Sequence, residues 1–347
     1  MGEEGKEAAE EAVRRVYELR VDRSGAGERL DVYVARRVGA LTRSSVKRLA
    51  QKGAVFVDGA AAFANTRLKA GQTIRIVVEA RRRRLKPYNL PVEILYEDDY
   101  LLALNKPAGV AVHPSDTLDE PTLVEALIAL RPEVKEVEPN TRSGLIHRLD
   151  KETSGVLLVA KERQFQMEMM RLFQSHRVAK YYVAVVLGVP RSRSGVVDAF
   201  IARHPIYRQR FAVSREGGRR SVTRWRLVRA FSNRFALILA KPITGRTHQV
   251  RVHMRHLGTP VLCDKTYSSR KAVYLSEIEG TKRRAGETPL IERQALHARS
   301  IAFVHPRLNR FIRLKAEMPD DMRRLLEALN RAFPPSADEK DRVQHKT

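Results

Sequence analysis

Apolar positions change their spacing along the 347-residue chain, and the changes mark its parts. From Arg29 onward, Leu30, Val34 and Val38 recur at helical spacing. Thr42 stands where it can cap a second helix carrying Val46, Leu49 and Ala50 on one side. Gly53 is placed to end that helix. Ala54-Val55-Phe56-Val57 then reads as a strand, Asp58-Gly59 as a hairpin turn, and residues 73–78 as a second strand. The pattern predicts a helix–helix–hairpin unit over residues 28–79. Residues 1–27 read as an N-terminal extension, acidic at first and helical or loose up to about residue 16.

Residues 80–91 form a basic linker that contains Arg81, Arg82, Arg83, Arg84 and Lys86. A larger domain is expected over residues 92–333. Ile94-Leu95-Tyr96 and Leu101-Leu102-Ala103-Leu104 are short strands split by Glu97-Asp98-Asp99. Helix signals recur at 121–131, 162–175 and 319–331. Strand signals recur at 156–160, 180–187, 222–229, 235–240 and 299–304. Strands and helices mix without strict βαβ alternation, which predicts an α+β fold with a mixed, largely antiparallel sheet. Residues 334–347 read as a polar, disordered tail.

Charge adds the first functional clue. Lys and Arg number 65 against 40 Asp and Glu, a formal net charge of +25. A large positive field favours polyanions, of which nucleic acid is the usual one. No run of about 18 apolar residues occurs to span a bilayer. The first residues lack the apolar core of a secretory signal. The single cysteine, Cys263, excludes an internal disulfide and a multi-cysteine zinc site, and it fits a reducing cytoplasm. Within Pro260-Val261-Leu262-Cys263 it reads as a small buried residue.

Two stretches carry candidate chemistry. The first is Gly144-Leu145-Ile146-His147-Arg148-Leu149-Asp150-Lys151-Glu152-Thr153-Ser154-Gly155, followed by an apolar strand. If 147–150 is extended, Arg148 and Asp150 share one face and His147 and Leu149 the other. A carboxylate at such an edge can meet a ligand while the backbone holds it; the alternative is a plain turn cap. The second is Thr244-Gly245-Arg246-Thr247-His248-Gln249-Val250-Arg251-Val252-His253-Met254-Arg255-His256-Leu257-Gly258, a turn leading into a short helix closed by Gly258. There Thr247, Arg251 and Arg255 fall on one helical stripe. An Arg so placed can clamp a carboxylate and keep it ionised, or the stripe is a solvated face.

His248, His253 and His256 lie close together but lack the His-Glu-x-x-His pattern and a companion carboxylate, so no metal is expected. Ser154 has no nucleophile elbow. Residues 203–226 hold eight arginines and one acid, Glu216, interleaved with Tyr207, Phe211 and Trp225. That mixture suits phosphates and stacked bases.

These stretches together closely resemble the RluA/RluD-type family of RNA pseudouridine synthases. Its hallmark corresponds to His147-Arg148-Leu149-Asp150 with Thr153-Ser154-Gly155. Asn105-Lys106-Pro107-Ala108-Gly109, Lys180-Tyr181-Tyr182 and Gly245-Arg246-Thr247-His248-Gln249-Val250-Arg251 resemble its other motifs, in the right order. The N-terminal unit resembles an S4 RNA-binding domain through Arg29-Leu30-Asp31, Thr42-Arg43-Ser44 and Gly53-Ala54-Val55-Phe56-Val57-Asp58-Gly59. Gln72 stands where that domain commonly has Asp, and Asp58 where it commonly has Asn.

The resemblance implies conversion of uridine to pseudouridine in structured RNA, most naturally large-subunit (23S) ribosomal RNA, with Asp150 as nucleophile. It implies Arg251 as the partner of that carboxylate. Tyr182 is implied to stack on the target base and to take part in proton removal at C5. Arg148 is implied to fill the place of the flipped-out uridine. RNA contacts are further expected from His147, Thr153, Arg246 and His248, and from Arg43, Lys47 and Arg48 in the N-terminal unit. The isomerisation gains and loses no atoms, so no cofactor is required. RNA is the expected partner of a cytoplasmic monomer. Attack at ribose C1′ and at base C6 both remain open. Competing expectations are a transfer-RNA synthase, a non-catalytic RNA-binding or ribosome-assembly factor, and a hydrolase built on Ser154.

Overall fold

A computed structural model describes residues 12–38, 41–81, 85, 87–114, 120–137, 144–204, 207 and 210–334. The chain divides into two compact units, Met1–Arg84 and Leu85–Thr347. Residues 82–84 and 86 of the basic linker lie outside the described residues, as do residues 1–11 and the tail from 335.

In the first unit, strand β1 (Ala12–Arg20) precedes helices α1 (Leu30–Arg37) and α2 (Arg43–Gln51). Strands β2 (Val55–Val57), β3 (Ala60–Ala61) and β4 (Thr73–Arg81) follow, and the sheet order is β1-β4-β2-β3. Thr42 caps α2 in a reciprocal box with Ser45. Leu30, Val34, Val46, Val55, Ile74 and Ile76 close the core between helices and sheet.

The helical or loose reading of residues 1 to about 16 is corrected from residue 12 onward. Residues 12–20 form a strand paired antiparallel with β4 along its whole length. The cause is a period of two. Tyr17 and Leu19 pack on the core while Val16 and Glu18 face outward. The two departures from the S4 pattern meet each other: Gln72 Nε2 donates to Asp58 Oδ2 at 2.9 Å, and the Thr73 amide donates to Asp58 Oδ1 at 2.8 Å. An amide opposite Asp58 gives a hydrogen bond where a second carboxylate would give repulsion.

The second unit is built on one sheet. Among the described residues its strands are β5 (Glu93–Glu97), β6 (Leu101–Lys106), β7 (Ser154–Ala160), β8 (Ala179–Leu187), β9 (Ser194–Arg203), β10 (Phe211–Ser214), β11 (Arg219–Phe231), β12 (Phe235–Pro242), β13 (Leu296–His305) and β14 (Arg310–Lys315). Their order is β10-β9-β11-β12-β8-β13-β7-β6-β5, with β14 beside β13. The β13–β7 pair is parallel and short, through His297↔Ser154 and Ala298↔Gly155; the other pairs are antiparallel.

The central strands read as apolar runs because helices cover both faces. Alternate residues of β6 and β7 pack on α5 (Arg163–Gln174) through Phe165 and Met169, and on α3 (Leu123–Leu130) through Leu123 and Leu127. At the other half, Val185 and Phe235 meet α8 (Asp320–Ala332) through Met322, Leu325 and Leu329. Ala184, Val186 and Ile238 meet α6 (Gln249–His256) through Val250 and Met254. α6 is the short helix expected before Gly258; it packs on β9, β10, β11 and β12, to one side of the seam where β7, β13 and β8 run side by side.

Candidate active site

A cleft of about 450 Å³ opens beside that seam, lined by residues of the 146–153 turn, β8, the 242–248 turn and α6. Asp150 lies in it with its side chain 27% exposed. The carbonyls of Asp150, Lys151 and Glu152 are all held. Thr153 N donates to Asp150 O at 3.0 Å, and Gly109 N to Lys151 O at 2.9 Å. Arg293 Nη1 donates to Glu152 O at 3.1 Å. Lys106 Nζ, fully buried, donates to Lys151 O at 3.0 Å and to the carbonyls of Pro107 and Val110. Burial pushes the Lys106 ammonium down to about 7.

Arg251 reaches Asp150 from α6, 101 residues away, with Nη1 at 2.8 Å from Oδ2. The rest of its guanidinium is gripped by Asp264, fully buried, through Nε–Oδ2 at 2.7 Å and Nη2–Oδ1 at 2.9 Å. The same carboxylate accepts the amides of Thr266 and Tyr267. Arg251 also lies over the Tyr267 ring at 5.1 Å. Burial opposes its charge, but the Asp264 hydrogen bonds and the charges of Asp150 and Asp264 prevail and push its pKa up.

Tyr182 stands on the cleft face of β8, half-buried; burial and then the Asp150 charge push its phenol up. Arg148 is exposed at the cleft rim, with Nη2 donating to Thr247 Oγ1 at 3.0 Å. Gln249, at the start of α6, ties the facing turn together. Its amide oxygen accepts Thr244 Oγ1 at 2.6 Å and Arg246 N at 3.0 Å, and its nitrogen donates to Val222 O and Thr223 Oγ1.

Several expectations are corrected. Residues 147–150 form no strand; beyond the isolated bridge Leu145↔Val159 the chain turns, and that turn puts Arg148 and Asp150 on the cleft together. His147 serves the wall. Its Nε2 accepts Leu158 N at 3.1 Å, its ring stacks on Phe173, and burial and the Lys180 charge drive its pKa down to about 3. Thr153 is 2% exposed, and its hydroxyl accepts Gln294 Nε2 at 2.6 Å. Ser154 is equally buried against His297 Nδ1 at 3.0 Å, out of reach of a substrate. Thr247 lies before α6, and Arg251 is buried, so the expected stripe is no solvated face. Trp225 is buried under Gly195 and offers no stacking surface.

His248 caps α6 in a left-handed conformation, with Nδ1 at 2.9 Å from Tyr267 OH; burial lowers its pKa against the pull of Asp150. Arg246 is exposed at the cleft mouth. Lys180 entered the sequence reading only as part of the motif that points to Tyr182, and Asp264 was not singled out. The signal for Asp264 is an acid ending the apolar run 260–263, since such an acid must find a cation. In the first unit, Arg43 and Lys47 are exposed one helical turn apart on α2, and Arg48 is exposed beside them. Arg43 also donates to the buried Asp31 at 3.2 Å. Among the described residues, no group of three His, Cys, Asp or Glu side chains is arranged to hold a metal ion, and no helix is long and apolar enough to cross a membrane.

Comparison with known proteins identifies this arrangement. The RNA pseudouridylate synthase family model matches residues 100–256, and the S4 domain model matches residues 28–74. Ribosomal large subunit pseudouridine synthase D of Xanthomonas campestris pv. campestris is 37% identical over 330 residues, covering 95% of this chain and 96% of that protein. An uncharacterized RNA pseudouridine synthase of Aquifex aeolicus is 34% identical over 93% of this chain and 99% of its own. The solved structure of human RNA pseudouridylate synthase domain containing 4 has a TM-score of 0.52 and 27% identity, over 68% of this chain and 92% of that one. With a relative matched from end to end at this identity, the chain belongs to the RNA pseudouridylate synthase family, a family of isomerases, and carries an S4 domain at its N-terminus.

Proposed function

We propose that this synthase isomerises uridines of large-subunit ribosomal RNA, in the cytoplasm, with Asp150 as its nucleophile. The observation that carries the reading is the cleft carboxylate of Asp150, gripped at 2.8 Å by a buried Arg251 and facing Tyr182. The substrate class follows the name of the Xanthomonas relative, a ribosomal large subunit pseudouridine synthase.

The N1–C1′ bond of the uridine breaks, the base turns, and C5 bonds to C1′. The C5 proton is lost and N1 gains one, so atoms balance without a cofactor. A carboxylate can form and release the covalent adduct this requires, whether at C1′ or at C6. The environment of Tyr182 holds its phenol protonated at neutral pH. Stacking on the base is therefore the role it supports, rather than proton removal as a phenolate. Arg148, exposed beside Asp150, fills the space left by a uridine whose unstacking costs roughly a few kcal/mol. The exposed basic residues of α2, together with the net charge of +25, supply affinity that falls with salt.

The test is chemical mapping of pseudouridine in ribosomal and transfer RNA from cells with the wild-type protein, without it, and with Asp150→Asn. Loss of the same ribosomal sites in both altered strains supports the proposal. Loss confined to transfer RNA moves the substrate there. Survival of every site in both strains, with no redundant enzyme, leaves a non-catalytic RNA-binding factor.

A further inference from the structure

The cleft holds more positive charge than its chemistry uses. Arg148, Lys180, Arg246 and Arg251 line it, against one lining carboxylate, Asp150. Arg251 is neutralised by Asp150 and Asp264. Arg148 has a place beside the flipped base. That leaves Lys180 and Arg246.

Lys180 is 9% exposed, and among the described residues its ammonium makes a single hydrogen bond, to Thr244 O at 3.2 Å. A lysine has three N–H donors, and burying a cation with donors unspent is costly. Nζ also lies 5.6 Å from the Phe173 ring centroid, a cation–π contact that offsets only part of that cost. Arg246 stands close enough that its charge, after burial, helps lower the Lys180 pKa to about 8; no carboxylate acts in the other direction. Arg246 itself makes one side-chain contact, a long 3.4 Å bond from Nε to Arg220 O. Two neighbouring cations without an anion are a frustrated pair in the empty protein, and an anion between them relieves it.

Lys180 lines the cleft, and a Cβ built on the exposed Gly245 would fall 3.7 Å from its Nζ, so the glycine keeps a side chain from crowding the ammonium on that side. Lys180 also shares the cleft face of β8 with Tyr182, two residues on, which is one pleat or roughly 7 Å along the strand. That is the scale separating a base from a neighbouring backbone phosphate.

We propose that Lys180 and Arg246 form a phosphate subsite that binds a phosphodiester flanking the target uridine, so that the strand is gripped beside the nucleotide being isomerised. This rests on the pseudouridine synthase reading of the cleft. The subsite is a positioning device: it contacts the backbone, not the reacting atoms.

The test uses the full-length protein and a stem-loop RNA containing its mapped target uridine. In two further RNAs the phosphate 5′ or 3′ to that uridine is replaced by a neutral methylphosphonate. With wild-type protein, one of the two should lose roughly tenfold or more in kcat/KM, the scale of a charged hydrogen bond. With Lys180→Gln, native RNA should show the same loss, and the methylphosphonate should cost nothing further. Lys180→Gln should also reduce the slope of log affinity against log salt by about 0.7 to 0.9, one phosphate contact, and Lys180→Arg should restore it. A wild-type protein indifferent to both methylphosphonates overturns the subsite, whatever the variants do. So does strict additivity of the variant and the methylphosphonate. Absence of pseudouridine with wild-type protein and native RNA is a different failure, and it strikes the reading of the cleft itself.

Discussion

The substitution Asp264→Asn tests the anchoring of Arg251 by Asp264. An asparagine oxygen can keep the bonds from the Thr266 and Tyr267 amides, which both reach Oδ1. Its NH2 must then face Arg251 Nε, a donor against a donor, where Oδ2 now accepts at 2.7 Å. The guanidinium is 7% exposed and loses half its countercharge. Removing one partner of a buried pair costs about 3–5 kcal/mol. For a domain of this size that lowers Tm by about 6–20 °C. A guanidinium displaced by even 1 Å also moves its grip on Asp150, and such misplacement can cost on the order of a hundredfold in rate. The assays are calorimetric melting, and single-turnover pseudouridine formation well below the new Tm. Asp150→Asn is the contrast: it leaves the Arg251–Asp264 fork intact, so activity should vanish while Tm moves by no more than about 4 °C. An Asp264→Asn protein that melts and reacts like wild type refutes the claim that Asp264 fixes Arg251.

Other consequences are as concrete. His147, His253 and His297 are held neutral by burial, at about 3, 4 and 4 against 6.5 when free. Their folded pKa values are depressed, so the unfolded chain takes up the protons first; the stability they confer is full above pH 6.5 and is lost as pH falls toward 4. Each contributes about 2 kcal/mol of loss between pH 7 and pH 5, read as a falling urea midpoint. His253 is fully buried with neither ring nitrogen hydrogen-bonded, so His253→Leu should flatten that dependence and hold or raise stability at pH 7; a large destabilisation at pH 7 would count against it. Gly155 has φ +118°, and a Cβ there would sit 2.2 Å from Ala298 O. Gly155→Ala should therefore cost roughly 3 kcal/mol or more, with soluble yield and melting as the measure. Tyr182→Phe keeps the ring and loses only the hydroxyl, so on the stacking role substrate affinity should stay within about threefold while Tyr182→Ala weakens it by 1–3 kcal/mol; equal binding by both variants would remove stacking from the account.

What could be read in advance depended on distance along the chain. The helices α1, α2, α3, α5 and α8 announce themselves by apolar spacing, and α2 and α6 also by Thr42 and Gly258. β1 was missed because its alternation, Tyr17 and Leu19 inward against Glu18 outward, hides behind an acidic start and two arginines. β9, β10 and β14 gave no clear signal: one face of β9 stays exposed at Val196 and Phe200, so apolar residues fall on both sides and blur the period. Within the site, the pairing of Asp150 with Arg251 spans 101 residues, and only the family motifs brought it into view. His147 and Thr153 were expected to meet RNA because they belong to the motif stretch that carries the family resemblance. The turn instead sends their polar atoms to Leu158 N and Gln294, partners that no local pattern reveals. Asp264 was invisible for the same reason, since nothing near it in sequence names Arg251 as its cation.

On the proposed role of Asp150 as nucleophile, the double grip on Arg251 matters most once that carboxylate has reacted. A carboxylate that forms a covalent bond to its substrate gives up its negative charge for the lifetime of the adduct. Had Asp150 been the sole counterion, that moment would strand a guanidinium 7% exposed, with a penalty of several kcal/mol set against the adduct. Asp264 keeps its two bonds to the same group throughout. The protein therefore enters the intermediate with its buried cation still neutralised, and the charge lost by Asp150 need not be repaid by solvent drawn into the cleft.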